Sequence, residues 1–499
     1  MKQIIVVGGG VAGLGAAYKI RRAAEAGHDV DVVLVEKDDR LGGKLCTDIA
    51  SDPDGGTYIA DGGSDSFLTD KPAIHRVAKL LGIFDEETGT LDDNKKTFIV
   101  RRGELVELPD GIMMFAPTKL VPMATTRLYS WPGKLRMALD LVIPRKRVAE
   151  GEPNDESLES FVVRRMGREC LDRLAEPLVG GVNGSDPKDM SLAATYPSLL
   201  EMEQVHGSLI KGFLAQRKKV EEMKRKYPPK PGAKRRTFFS SFVRGLQFFT
   251  DRLADAVGRE RIRTGAPAVA VERLVDDRWR VRLADGSALD ADAVIVATEA
   301  WAAAPLLKTV DERLCDLIGE IPCSSSATVV MAFREQDCPF DKKWHGILAP
   351  MVEHRKVTGI SLMSSKWPQR APEGRVLLRG FLGGPRDQQV LEGTDEELIE
   401  IARREFIELL GIVPEARPTY ARLFRWDGGM PQYTMGHLDR VARITEICAA
   451  TPGLGVAGGA YHGVGVPNCL DSGEAAAAKV LAEWGISVDE DAEASRRVF

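Results

Sequence analysis

The chain predicts a mixed α/β and α+β protein in three parts: a parallel-sheet domain assembled from separated segments, a mixed-sheet domain and a helical insertion. Three observations predict it. Short apolar, β-branched runs suited to a sheet buried on both faces occur at Ile4–Val7, Val30–Val35 and Ala293–Ala297, far apart in sequence. From Pro109 to about Pro228 the β alternation gives way to helical spacing. Strand-like stretches at Ala327–Phe333 and Arg375–Phe381 then accompany a helix over Glu396–Leu410.

The first part is organised by the run Lys2–Gly43. Gly8, Gly10 and Gly13 follow the first apolar strand in GxGxxG spacing. Gly8 permits the tight strand-to-helix turn, Gly10 lets the backbone approach a pyrophosphate, and Gly13 lets helix and sheet pack closely. The next helix aims its free N–H groups at the phosphates. The second strand ends in Glu36, where a carboxylate meets a ribose hydroxyl and repels a 2′-phosphate. Strand, glycines, helix, strand and acid in register make a Rossmann-like cradle, a stronger signal than the glycines alone. Arg40, Gly42, Gly43 and Lys44 then give R-x-G-G-K, which resembles the second FAD signature of the amine oxidase superfamily. A basic group there meets flavin-side phosphates, and an NAD site has no use for it.

A chain of 499 residues exceeds what one core usually serves, so two or three domains are expected. The formal charge of −5 gives no reason to expect nucleic acid. Seven cysteines without a CxxC pair suggest neither a zinc site nor a disulfide framework, and no metal is expected. The first strand begins almost at once and no apolar run approaches a membrane span, so a cytoplasmic protein is expected.

In chain order, a strand at Thr57–Ala60 leads into Gly62, Gly63 and Ser64, small residues where a backbone can approach a ring. Lys95–Leu105 reads as a basic-flanked hairpin with a Gly turn. Within the helical part, apolar residues from Leu158 to Leu178 keep helical spacing, preceded by a cap at Asp155–Ser157. The part ends in a basic, Pro-bearing loop from Arg217 to Arg236, expected to be exposed and solvated, with attraction to an anionic membrane surface as the alternative. The β pattern resumes at Thr237 with an amphipathic helix after Gly245, strands over Arg261–Val271 and a hairpin around Asp285-Gly286. Leu454–Gly458 followed by Val464, Gly465 and Val466 is a strand, a Gly-rich turn and a helix start. A second helix N-terminus aimed at the cofactor stabilises negative charge at the flavin N1 and O2 edge. The expected domains are 1–90, 237–300 and 425–499 for FAD, 91–108 and 301–424 for substrate, and 109–236 for the helical insertion.

Gly180–Pro187, Ser191–Pro197 and Glu203–Ile210 resemble the central signature of the protoporphyrinogen oxidase family. Pro431–His437 and Gly463–Gly473 are similar to that family's later motifs, and the likeness runs end to end. Residues 108–145 are most similar to the branch containing soluble bacterial coproporphyrinogen III oxidases. The resemblance implies flavin contacts at Gly8, Gly10, Val11, Ala12, Gly13, Glu36, Lys37, Arg40, Gly43, Lys44, Gly62, Gly63, Ser64, Trp426, Val464, Gly465 and Val466. Ala268 stands where relatives often have Val at a backbone contact to adenine, and Gly459 where many have Asn or Asp. Gly181 would guide the substrate. Thr97 replaces an Arg that binds a propionate in eukaryotic protoporphyrinogen enzymes, which puts that binding mode in doubt.

The family implies oxidation of a porphyrinogen to a porphyrin in haem biosynthesis through FAD, with oxygen as acceptor and hydrogen peroxide released. The flavin carries the chemistry, so no protein residue is assigned as catalytic. His437 and His462 lie near flavin segments and read as structural histidines. Coproporphyrinogen III has four propionates and protoporphyrinogen IX two, so a basic rim suits the former; Lys95, Lys96, Arg101 and Arg102 are the candidates for it, with a solvated face as the alternative reading of the same charges. Contact with a membrane surface or a haem-pathway partner is compatible with the helical part. Two other classes stay open: an amine oxidase or carotenoid-type desaturase, which leaves the central signature unexplained, and a flavoprotein without turnover.

Overall fold

The structure, a computed structural model, describes residues 1–91, 96–149, 151, 154–181, 184–227 and 237–488. Its organising element is a five-stranded parallel sheet in the order Ile262–Arg263, Val30–Val35, Lys2–Val7, Ala293–Val296, Leu454–Val456. The ladder keeps Val7 level with Val35 and with Val296, and Val296 level with Val456. Four strands therefore finish in one row, and the loops after them share one crevice.

The apolar runs are continuous because both faces of this sheet are covered. Ile4, Val6, Val32 and Leu34 point into a core with the helices Val11–Glu25 and Val466–Ala482. Ile5, Val7, Val294 and Val296 point the other way, onto Trp279, Val281 and Leu283 of the antiparallel strands Ala268–Arg273, Trp279–Leu283 and Ala288–Ala291. The two covering helices approach backbone to side chain. A Cβ at Gly473 would strike the Ala12 carbonyl, and one at Gly15 would stand 2.6 Å from Leu470 Cδ1. Small residues at the crossing bring both helix N-termini to the same crevice.

A seven-stranded sheet runs in the order Tyr420–Pro431, Cys323–Arg334, Arg375–Gly383, Val357–Leu362, Trp344–Leu348, Lys96–Arg101, Glu104–Glu107. Its only parallel pair joins Trp344–Leu348 to Lys96–Arg101. The strand Tyr420–Pro431 runs through the 424/425 position expected from sequence as a domain boundary. Val329, Met331, Leu378 and Ile360 face the helix Asp395–Leu410, whose start carries a Thr394–Glu397 capping box. The alternate residues, including Arg379, Trp426 and Thr97, project from the opposite face.

The helical part differs from the sequence reading twice. The expected helix over 158–178 is broken at Gly167, with φ +93°, into Leu158–Arg165, Arg168–Cys170 and a wide-turned segment Leu171–Gly180. The break is stable because the Arg136 guanidinium donates to the carbonyls of Val163, Arg164 and Arg165 at the end of the first helix, where Val163 O also accepts from Gly167 N at 3.1 Å. The stretch expected as loop from Arg217 is helical as far as Lys226, within Leu209–Lys226. Ser208 caps that helix, and Arg217–Glu221 and Lys218–Glu222 pair along its face. Residues 228–236 lie outside the described residues.

Candidate functional site

The site starts at the row of strand ends. Gly8 takes φ +109°, and a Cβ there would meet the Ala297 carbonyl oxygen at 2.8 Å. A Cβ at Gly13 would collide with the Gly8 carbonyl. Gly10 is different: it caps the helix Val11–Glu25, and a Cβ on it would have nothing within 4 Å. The chain is thus crowded behind the turn and open in front of it, as a pyrophosphate requires. Val11 is half-buried and Ala12 is buried in the first helical turn.

Glu36 ends the second strand and is 9% exposed. One carboxylate oxygen accepts from Gly9 N at 2.5 Å and the other from Asp38 N at 2.9 Å. Two such bonds leave acceptor capacity for a hydroxyl. Lys37 is exposed and stands 3.7 Å from Asp38. Arg40 turns inward, donating to Leu41 O at 2.8 Å, Leu45 O at 3.1 Å and Gly43 O at 2.6 Å. It holds the turn that brings Gly42 N to Gly9 O at 2.8 Å and Gly43 against Gly10. Lys44 is the cation of this turn that stays half-exposed, 3.5 Å from Glu299.

A second wall faces this turn. A Cβ at Gly63 would collide with the Lys44 carbonyl and approach Trp426 Cζ2 at 3.4 Å, so these three residues meet only because residue 63 is glycine. Trp426 Nε1 donates to Gly62 O at 3.2 Å, and its ring lies parallel to Phe424. Ser64 is half-buried beside them. Beneath the loop, Arg379 donates to Asp61 O at 3.1 Å and Gly63 O at 2.8 Å. Against the burial that would raise it, Arg379 and Lys366 hold the Asp65 carboxyl below its ordinary range. Asp61 is pushed up by burial, with Arg370 opposing from 2.8 Å.

The third wall is the start of the helix Val466–Ala482. Val464 is half-buried, Gly465 is its exposed cap and Val466 its first residue. Tyr433 braces the turn before it: its hydroxyl donates to Gly459 O at 2.7 Å and accepts from Gly463 N at 2.6 Å. His437 stacks on Tyr433 at 4.0 Å and reaches Tyr461 O from Nε2 at 3.2 Å. Burial, only partly offset by that carbonyl, lowers its pKa to about 4, so it is a neutral support at ordinary pH. His462 is exposed.

Ala268 opens the strand Ala268–Arg273, shortly after Ala266 N donates to Glu36 O at 2.8 Å, which puts it at the acid's end of the crevice. The Gly181 carbonyl accepts from Gly184 N at 3.3 Å, and Gly184 O accepts from Ser324 Oγ at 3.0 Å. Its turn thereby sits at the end of the sheet that carries Trp426, since Trp426 pairs with Ser326. Thr97 is half-buried on the same face, with four strands between it and Trp426's strand. Lys96 is exposed and answers Glu107 across its hairpin at 3.4 Å. Lys95 lies outside the described residues. Sequence reasoning missed the roles of Tyr433 and Arg379. Tyr433 stood within a quoted motif, and Arg379 was one arginine of an apolar strand, with no local signal that its guanidinium would reach a loop 316 residues away.

Glycines that leave room only on the ligand side, two converging helix N-termini, an acceptor at Glu36 and a half-free Lys44 fit FAD in an extended pose. Comparison with known proteins agrees. Residues 11–481 match the model of the flavin containing amine oxidoreductases. The chain is 30% identical to the coproporphyrinogen III oxidase of Bacillus subtilis, covering 96% of this chain and 98% of that one. It is 32% identical to the enzyme of the same name from Propionibacterium freudenreichii, covering 96% and 90%. A solved structure from Exiguobacterium sp. 255-15, assigned provisionally as a protoporphyrinogen oxidase, superposes with TM-score 0.82 at 28% identity, covering 97% and 99%. The chain therefore belongs to the flavin-containing amine oxidoreductases, within the coproporphyrinogen III and protoporphyrinogen oxidase family, and FAD is its cofactor.

Proposed function

We propose that this chain oxidises coproporphyrinogen III to coproporphyrin III in haem biosynthesis, with oxygen as acceptor and hydrogen peroxide as by-product. The observation that carries the reading is the end-to-end likeness to bacterial enzymes of that name, at 30% and 32% identity. When bound, FAD would supply the redox chemistry: the six-electron oxidation divides into three two-electron transfers, with oxygen as the final acceptor. The protein's task is to hold, orient and dry the reacting partners.

In this reading Ala268 and Glu36 take the adenosine end, Gly8 to Gly13 the pyrophosphate, and Lys44 with the Val464–Val466 helix start the flavin end. Gly62, Gly63, Ser64 and Trp426 flank the ring, and the Gly181 turn guides the macrocycle. The parallel sheet with its three-stranded cover forms the FAD domain, and the seven-stranded sheet lies over the substrate.

Protoporphyrinogen IX is the second reading, favoured by the Exiguobacterium structure. Separate fluorescence assays of porphyrin formation in air decide between them. A kcat/KM preference for coproporphyrinogen III supports the first, and a preference for protoporphyrinogen IX overturns it.

The seven free thiols suit a reducing compartment, and we place the protein in the cytoplasm. No helix among the described residues is long and apolar enough to cross a membrane. A peripheral contact has its own support. Leu120 is 90% exposed, Val142 75%, Leu135 68% and Trp131 66%, and exposed Lys119, Arg127, Arg145 and Arg147 stand among them. Apolar side chains ringed by cations suit an anionic bilayer. Co-sedimentation with vesicles containing anionic lipid, lost on Trp131→Asp with Leu135→Asp, is the expected result.

A further inference from the structure

The turn that presents the third wall is conformationally loose by composition. Residues 457–465 join the strand Leu454–Val456 to the helix Val466–Ala482, and four of these nine are glycines. Gly458 and Gly463 both take φ +125°, a conformation that residues with a side chain rarely adopt. So glycine-rich a stretch has many conformations in the open chain, and whatever selects one of them sets where the helix begins.

Tyr433 supplies the selection. Its hydroxyl donates to Gly459 O at 2.7 Å and accepts from Gly463 N at 2.6 Å, so a single oxygen closes the turn from Gly459 to Gly463. His437, stacked on the Tyr433 ring at 4.0 Å, reaches Tyr461 O between those two points. Tyr433 is itself fixed from outside the turn. It is 5% exposed, its carbonyl accepts from Ser191 N at 2.8 Å, and Gln432 N donates to Pro322 O at 2.7 Å. Burial, opposed by the Gly463 N–H, pushes the phenol above its ordinary pKa, so the hydroxyl keeps the proton that it gives to Gly459 O.

What the turn positions is a partial charge. The unpaired N–H groups of the first helical turn carry it, and its effect falls off within about one turn. A small displacement of the helix start therefore changes how well it stabilises a cofactor that gains negative charge on reduction. The body of the helix has no such freedom, because Gly473 is locked against Ala12 and Leu470 against Gly15. Losing the two Tyr433 bonds releases the turn and the first N–H groups and leaves the rest of the helix in place.

We propose that Tyr433 is a positioning residue for the flavin: through the turn at 457–465 it holds the helix start at the ring's N1 and O2 edge and makes the bound flavin easier to reduce. The inference rests on the reading above that puts this helix start at the flavin end, and on no property of the porphyrinogen. The test uses full-length wild type, Tyr433→Phe, Tyr433→Leu and Gly465→Asp. For each, dye equilibration gives the two-electron midpoint potential of the FAD-loaded protein, titration gives the FAD dissociation constant, and calorimetry gives the melting temperature of the apoprotein. Tyr433→Phe keeps the ring on His437 and removes both hydrogen bonds. The expected result in both Tyr433 variants is a shift of about 3- to 10-fold toward oxidised flavin, a potential about 15–30 mV lower. Tyr433→Leu is expected to lose more melting temperature than Tyr433→Phe, since it alone removes the stacked ring. Gly465→Asp sets a carboxylate at the helix start and is expected to lower the potential or expel the flavin. An unchanged potential in Tyr433→Phe beside a changed Gly465→Asp overturns the role of Tyr433 and leaves the helix placement standing. Unchanged potential and FAD affinity in Gly465→Asp overturn the placement, and the proposal with it. Loss of flavin from Tyr433→Phe at saturating FAD also overturns the proposal, because Tyr433 is then needed to build the site rather than to tune it. A protein that oxidises neither porphyrinogen overturns the porphyrinogen reading and leaves these outcomes unchanged.

Discussion

A Cβ at residue 13 and a Cβ at residue 10 meet different things, and the difference separates scaffold from ligand surface. At Gly13 the obstacle is the backbone carbonyl of Gly8, which cannot turn aside. Gly13→Ala is expected to destabilise the protein without cofactor by about 1–3 kcal/mol and to abolish flavin binding. At Gly10 there is open space, so Gly10→Ala is expected to leave the apoprotein melting temperature unchanged while weakening FAD at least tenfold. Differential scanning calorimetry of the apoproteins with flavin titration checks both. His437 adds a pH term. Its pKa falls from 6.5 in the open chain to about 4 when folded, so the unfolded state binds the extra proton between those values. Stability from this residue is present above pH 6.5 and is lost as pH falls toward 4. The loss amounts to roughly 3 kcal/mol by linkage. Denaturation midpoints of wild type and His437→Asn across this range are expected to converge as pH falls.

At the scale of elements, legibility follows how local the cause is. The strands Lys2–Val7 and Val30–Val35 and the helix between them were readable because apolar runs, glycines and the acid lie within 35 residues of one another. The helix start at Val466 was readable for the same reason. The helix ending at Arg165 was not, although Gly167 marked the place. What stabilises that end is Arg136, which satisfies three carbonyls from a helix about 30 residues upstream. Arg136→Ala is expected to cost about 1–3 kcal/mol and to act mainly on the helical part. Hydrogen exchange at residues 158–166 is expected to rise while the parallel sheet stays protected. The helix running to Lys226 was missed because a basic, Pro-bearing stretch reads as loop. The i,i+4 carboxylates Glu221 and Glu222 were the available signal.

On the scale of the whole molecule, a polar cluster that no local pattern announces ties the seven-stranded sheet to the strand Thr57–Asp61 and the loop after it. Arg379 leaves the seven-stranded sheet to bind the backbone of Asp61 and Gly63, and Arg370 meets Asp61. These partners are separated by more than 300 residues, and each alone reads as one more charge in the sequence. Because Arg379 and Lys366 keep Asp65 charged against its burial, removing the guanidinium leaves a carboxylate enclosed with a weaker counter-charge. Arg379→Met is therefore expected to destabilise the protein by about 3–5 kcal/mol and to loosen the Gly62–Ser64 loop. Adding Asp65→Asn should recover much of the stability, because a neutral amide no longer needs the cation. It should not recover tight flavin binding, because the donors to Asp61 O and Gly63 O are still gone. Denaturant midpoints and FAD dissociation constants of the two single variants and the double variant form the cycle that checks this. If stability and flavin affinity recover together, Arg379 acts only by balancing Asp65; if stability alone recovers, it also holds the loop in place.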